Sequence, residues 1–170
     1  LDIHAYCLLP HGLHILATPR KDPNDLSRFM KALACRTSLR RKNLYGRSSA
    51  WEIRYRSSPI EPGQWMLTCM CYIERLPVMH ELVSSAYHYH RSSYRTRLGK
   101  ADHYWLADPD EYARLGETIQ ERAEAYRVYI SNGLDPKDQR MIDTAGRRCK
   151  LTGYMPGPYT TLTLPTTHAV

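Results

Sequence analysis

Two side chains in this sequence have the types and setting to do chemistry together. His14 sits just inside the second of two apolar runs, which are joined by Pro10-His11-Gly12. A polar imidazole in an apolar strand is costly to bury unless something pairs with it, and it is competent to bind a metal. Far downstream, Tyr72 lies in a short apolar helix candidate, Met70-Cys71-Tyr72-Ile73-Glu74-Arg75-Leu76-Pro77. Either the two side chains meet over a nucleic-acid phosphate, or both are merely packed.

Charge points to the substrate. The 170-residue chain carries a net +7. The excess is gathered in Arg36 to Arg47 (Arg40-Arg41-Lys42 at its centre), Arg54/Arg56, Arg91/Arg95/Arg97/Lys100 and Arg147-Arg148-Lys150. Such clusters are the footprint of a phosphate-backbone binder. Thirteen tyrosines against one phenylalanine add to this, because tyrosine stacks on bases while keeping a polar tip. The five cysteines form no CxxC pair, and only Cys69 and Cys71 are close. They make neither a disulfide framework nor a zinc knuckle, so a reducing cytoplasm is expected. No apolar stretch approaches membrane-spanning length.

The length suits one domain, here 1–152, followed by a Pro-, Gly- and Thr-rich tail, 153–170. The opening runs predict a β-hairpin. Asn24 or Asp25 can cap a helix whose Leu26, Phe29, Met30 and Leu33 share one face, running out before Tyr45-Gly46. Ala50 to Arg56 alternates as a strand, with Arg54 and Arg56 on one face. Pro59, Pro62 and Gly63 predict a turn, and a second helix spans about Gln64 to Leu76, stopping at Pro77. Tyr87 to Arg95 reads as a loop with a short helical piece. A third helix starts at Asp108-Pro109. Thr118 and Glu121 form a capping box for a fourth, ended by Asn132-Gly133. The order implies α+β, an antiparallel sheet with helices on one face.

Taken in order, several segments resemble the REP-associated tyrosine transposases, relatives of the single-tyrosine insertion-sequence transposases. They are His4-Ala5-Tyr6 through Leu9-Pro10 and His14; Leu26-Ser27-Arg28-Phe29-Met30-Lys31; and Trp51-Glu52 with Arg54-Tyr55-Arg56-Ser57-Ser58-Pro59-Ile60. Then come Tyr72-Ile73-Glu74, Arg91-Ser92-Ser93-Tyr94-Arg95, and Tyr112 with Leu115-Gly116, Arg122 and Tyr126-Arg127. The likeness covers about residues 1 to 150. It implies a ferredoxin-like β-α-β-β-α-β unit whose first strand and helix are absent here. It also implies a DNA transposase that forms a covalent 5′-phosphotyrosine on single-stranded DNA beside a hairpin, with Mg²⁺ or Mn²⁺ fixing the phosphate.

Carried over residue by residue, the resemblance makes Tyr72 the nucleophile and His14 the second of two histidine ligands. The first ligand position is Gly12, which has no side chain. His11 lies one residue off and reaches the same side only if a bulge forms at Gly12. The amide expected four residues after the tyrosine is Leu76. His4 and Cys7 on the neighbouring strand are alternative ligands. Arg54, Tyr55, Arg56, Ser57 and Ser58, with Arg91, Ser92, Ser93 and Arg95, are expected to hold the DNA, and Arg40, Arg41 and Lys42 to add to that surface. Two other readings stay open. One is a hairpin-DNA binder of the same fold that does not cut; the other is an RNA-binding module whose sheet carries stacking tyrosines.

Overall fold

The computed structural model describes residues 1–46, 51, 55–153 and 160–164, the last five as backbone. The molecule is a mixed α+β protein. Strands β1 (Asp2–Leu9) and β2 (Gly12–Thr18) form the expected hairpin through a two-residue turn, and helix α1 (Asp25–Tyr45) follows. Then come β3 (Arg56–Ile60), α2 (Gln64–Met79), two short helical pieces at Ala86–His88 and α3 (Tyr94–Arg97), and α4 (Asp110–Ala113). Helices α5 (Ile119–Asn132) and α6 (Pro136–Arg148) and strand β4 (Thr160–Leu164) complete the chain.

The sheet order is β1-β2-β4-β3, with every neighbouring pair antiparallel. Part of the segment read as a tail is therefore a strand, and it pairs with both β2 and β3 and so joins them. The run Thr160-Thr161-Leu162-Thr163-Leu164 is β-branched and alternating, which suits a strand held between two others. Most of the other strand read from sequence, 50 and 52–54, lies outside the described residues; the described pairing of β3 runs from Arg56 to Ile60, through Pro59, predicted as turn. Proline is tolerated because β3 is an edge strand. Arg54 lies outside the described residues. The outer edge of β1 is covered rather than left open: Leu8 N donates to Arg91 O (2.8 Å), Ser93 N to Tyr6 O (3.0 Å) and Ala107 N to Ile3 O (2.8 Å).

Helix α2 is the centre of the core. Its Cys69, Met70, Cys71, Ile73 and Leu76 pack with Ala5, Cys7, Leu9 and Leu16, which share one face of the hairpin. It runs through Pro77 to Met79, because a proline in the last turn loses one hydrogen bond without ending the buried face. Helix α1 buries only Leu26 and Met30, at its N-terminal end. Its start is organised by Asp25, whose carboxylate accepts from the backbone N–H groups of Arg20 and Lys21 (both 3.3 Å). Gly46 ends it at φ 69, a left-handed cap. The Thr118/Glu121 capping box is present on α5. Among the described residues no helix is long and apolar enough to cross a membrane.

Candidate functional site

Tyr72 points from the middle of α2 toward α6. Its ring belongs to the core, with 5% of the residue exposed, and its hydroxyl donates to Asp143 Oδ1. Burial, first, and then the Asp143 carboxylate push the phenol well above its usual range, while the Arg147 guanidinium opposes them. Asp143 is half-buried, and Arg147 and Arg148 are exposed at the end of α6. The site therefore contains a tyrosine, a carboxylate and cations, but it presents the hydroxyl inward.

His14 has different neighbours. It pairs with Cys7 across the hairpin and so lies on the α2 side of the sheet. Its Nδ1 is shut away without a partner. Burial, aided by the positive charge His80 can carry, lowers its pKa to about 4, so the ring stays neutral. The hydroxyl of Tyr72 is held by α6, and the imidazole of His14 feels the end of α2.

The other proposed ligands lie elsewhere. His11 is exposed in the hairpin turn. Gly12 pairs in regular register with Leu9, and the one irregularity of the hairpin falls between Ile3 and Ala5. The bulge that could re-aim His11 is therefore absent. His4 uses both ring nitrogens, Nδ1 with Ala107 O (3.1 Å) and Nε2 with Thr18 Oγ1 (2.8 Å). Burial raises the Cys7 thiol to about 12, so it stays protonated. Leu76, at the amide position, is buried in the core. Among the described residues no three His, Cys, Asp or Glu side chains form a group able to hold a metal. A single imidazole does not fit Mg²⁺ or Mn²⁺, which take several oxygen ligands.

Several residues read as phosphate contacts are ties within the fold. Ser58 is buried and donates to Lys150 O, joining β3 to the end of α6. Ser92 Oγ donates to Tyr89 O (3.2 Å), and Ser93 Oγ to the Glu74 carboxylate. The hydroxyl of Tyr55 bonds Ser27 Oγ (2.9 Å). Arg56 Nη1 donates to Arg147 O (3.4 Å), and Ser57 is half-buried beside it. Arg91 is exposed, while Arg95 bonds His90 (3.0 Å) and lies over the Tyr87 ring at 5.1 Å. Arg40 and Lys42 are exposed on the C-terminal half of α1, with Arg41 half-buried between them. Some of the tyrosines are core and no stacking surface: Tyr94, Tyr112 and Tyr126 are interior, packed edge to face and tilted on one another.

Asp143 is the residue that sequence reading missed, because α6 itself was missed. Its start is nonetheless written in the sequence. Asp135 accepts from Lys137 N (2.7 Å), Pro136 takes the first turn, and Ile142 and Ala145 fall on the buried face. No protein-family model matches the chain, and no curated protein and no solved structure matches it.

Proposed function

We propose that this chain binds hairpin-bearing single-stranded DNA on a ferredoxin-like scaffold of the single-tyrosine transposase type. In the conformation described here it holds the strand without cutting it. The observation that carries the second half is the Tyr72–Asp143 contact: the candidate nucleophile is buried and its hydroxyl is already used. The order of the matching segments supports the scaffold. So does the sheet, in which β1, β2 and β3 fit the second, third and fourth strands of a β-α-β-β-α-β unit and β4 fills the slot of the first. The DNA half rests on cations at two places, the exposed end of α1 and the end of α6 beside Arg56. A cytoplasmic setting agrees with five free cysteines.

The test uses a labelled hairpin oligonucleotide with a single-stranded flank, titrated by fluorescence anisotropy at several salt concentrations. Affinity is expected to fall by at least about tenfold between 50 and 200 mM salt, as charge-driven phosphate binding does. A parallel incubation with Mg²⁺ or Mn²⁺ is expected to give no covalent adduct on a denaturing gel. An adduct abolished by Tyr72→Phe would instead make the chain a strand transferase. RNA outcompeting the DNA hairpin at equal salt, or no binding at all, would end the DNA reading.

A further inference from the structure

We propose that α6 is a latch on Tyr72: the Asp143 carboxylate holds the phenol inward, and the hydroxyl becomes reachable only when this helix shifts. The idea deepens the DNA reading in what the freed hydroxyl would meet, but the contact stands without it. The geometry has two parts. The first is the hydrogen bond from Tyr72 to Asp143, made by a residue with 5% exposure. The second is the way α6 is fastened. Apart from Ile142, Ala145 and Gly146, which it buries, its ties to the sheet gather at its C-terminal end. There Ser58 Oγ donates to Lys150 O, Arg56 Nη1 reaches Arg147 O and Thr152 N reaches Pro59 O (2.8 Å).

Those ties lie where the helix is most basic. Arg147, Arg148 and Lys150 are exposed, and Arg147 is close enough to Tyr72 to favour its ionised form. A polyanion drawn to these cations engages the same turns that fasten the latch. Any preference it has for the shifted helix must by linkage loosen the cover over Tyr72.

A phenol-directed sulfonyl fluoride, followed by peptide mass mapping, reads the latch without any DNA chemistry. In the wild-type protein Tyr72 is expected to label far more slowly than Tyr104, which is 93% exposed. Asp143→Ala should raise the Tyr72 rate about tenfold, the factor for losing one ordinary hydrogen bond, while fully buried Tyr126 stays flat. Ser58→Ala, which loosens α6 at its end and leaves Asp143 in place, should act in the same direction and decides the matter if Asp143→Ala does not fold. An unchanged Tyr72 rate overturns the latch. So does a rise matched at Tyr126, since that is general loosening. Adding the hairpin oligonucleotide to wild type should speed Tyr72 labelling, and slowed or unchanged labelling by a bound oligonucleotide overturns the coupling to DNA. If anisotropy shows no binding, the DNA reading and the coupling fall while the variants still decide the latch.

Discussion

Helix α2 carries two tyrosine–carboxylate pairs on different sides, and they are built differently. On one side Glu74 and Tyr126 are both 0% exposed, with the Tyr126 hydroxyl donating to Glu74 Oε2 at 2.8 Å. On the other, Tyr72 donates to a half-buried Asp143 beside exposed cations. The sealed pair is braced all round. Ser93 donates to the second oxygen of Glu74, and the charge of Arg97 favours the carboxylate against a burial that raises its pKa. Arg97 is itself fixed by Asp108, by the carbonyls of His4 and Ala107, and against the Tyr112 ring at 4.9 Å. The same chemical pair is thus a strut in one place and a closure in the other. What separates them is how many further partners each carboxylate has and whether water can replace the tyrosine.

The largest expected effect tests the strut. Arg97→Ala removes the cation near a fully buried carboxylate and takes its donor from the His4 carbonyl, while the Ala107 carbonyl keeps the His4 ring. Leaving a buried charge uncompensated costs about 3–5 kcal/mol, so the urea midpoint should fall steeply. Because burial raises Glu74 above the usual carboxylate value, the folded protein holds a proton that the unfolded chain releases. Stability from this group therefore declines as pH rises from the normal carboxylate range toward the raised value, and Arg97→Ala should steepen that decline. A loss below about 1 kcal/mol would mean water reaches Glu74 and the two pairs are alike.

An acid-side effect comes next and concerns His14, half-buried where the strut is sealed and with an orphaned ring nitrogen. Its folded pKa is about 4 against an ordinary value of 6.5. Between those values the unfolded chain binds a proton that the folded one refuses, so stability falls as pH drops through that window. The full shift corresponds to roughly 3 kcal/mol, and about 2 kcal/mol is expected because the residue is only half-buried. Denaturation midpoints from pH 7 to pH 4 should show this slope in wild type and a shallower one in His14→Gln. An identical slope in both would mean the ring gains a partner or water on protonation.

How much of this was readable beforehand depends on where each contact partner lies in the chain. The hairpin, the Leu26/Met30 face and the Thr118–Glu121 box are local patterns, with period and spacing visible within a few residues. That α2 is buried also follows from its composition. Asp143 escaped because its value lies in a contact with a residue 71 positions away, although the Asp135-Pro136 start that places it is a plain signal. The serines at 58, 92 and 93 stand among arginines, a setting that in sequence suggests phosphate ligands. Their hydroxyls instead answer backbone carbonyls and Glu74, since a buried polar group must find a partner wherever the fold brings one. Strand β4 was lost in a Pro- and Gly-rich stretch, and only the gap between β2 and β3 gives it a reason to be there.

The smallest effects compare the two pairs directly. Tyr126→Phe leaves one oxygen of a sealed carboxylate without its donor and should cost about 1–3 kcal/mol, the penalty for an unsatisfied buried group. Tyr72→Phe makes the same chemical change, but Asp143 can turn to water, so the loss should stay below about 1 kcal/mol. The two variants are measured by urea unfolding, side by side and with unchanged slopes, so that the difference reports the folded state. Equal losses would place Asp143 in as dry a setting as Glu74, and the contact over Tyr72 would then be a second strut.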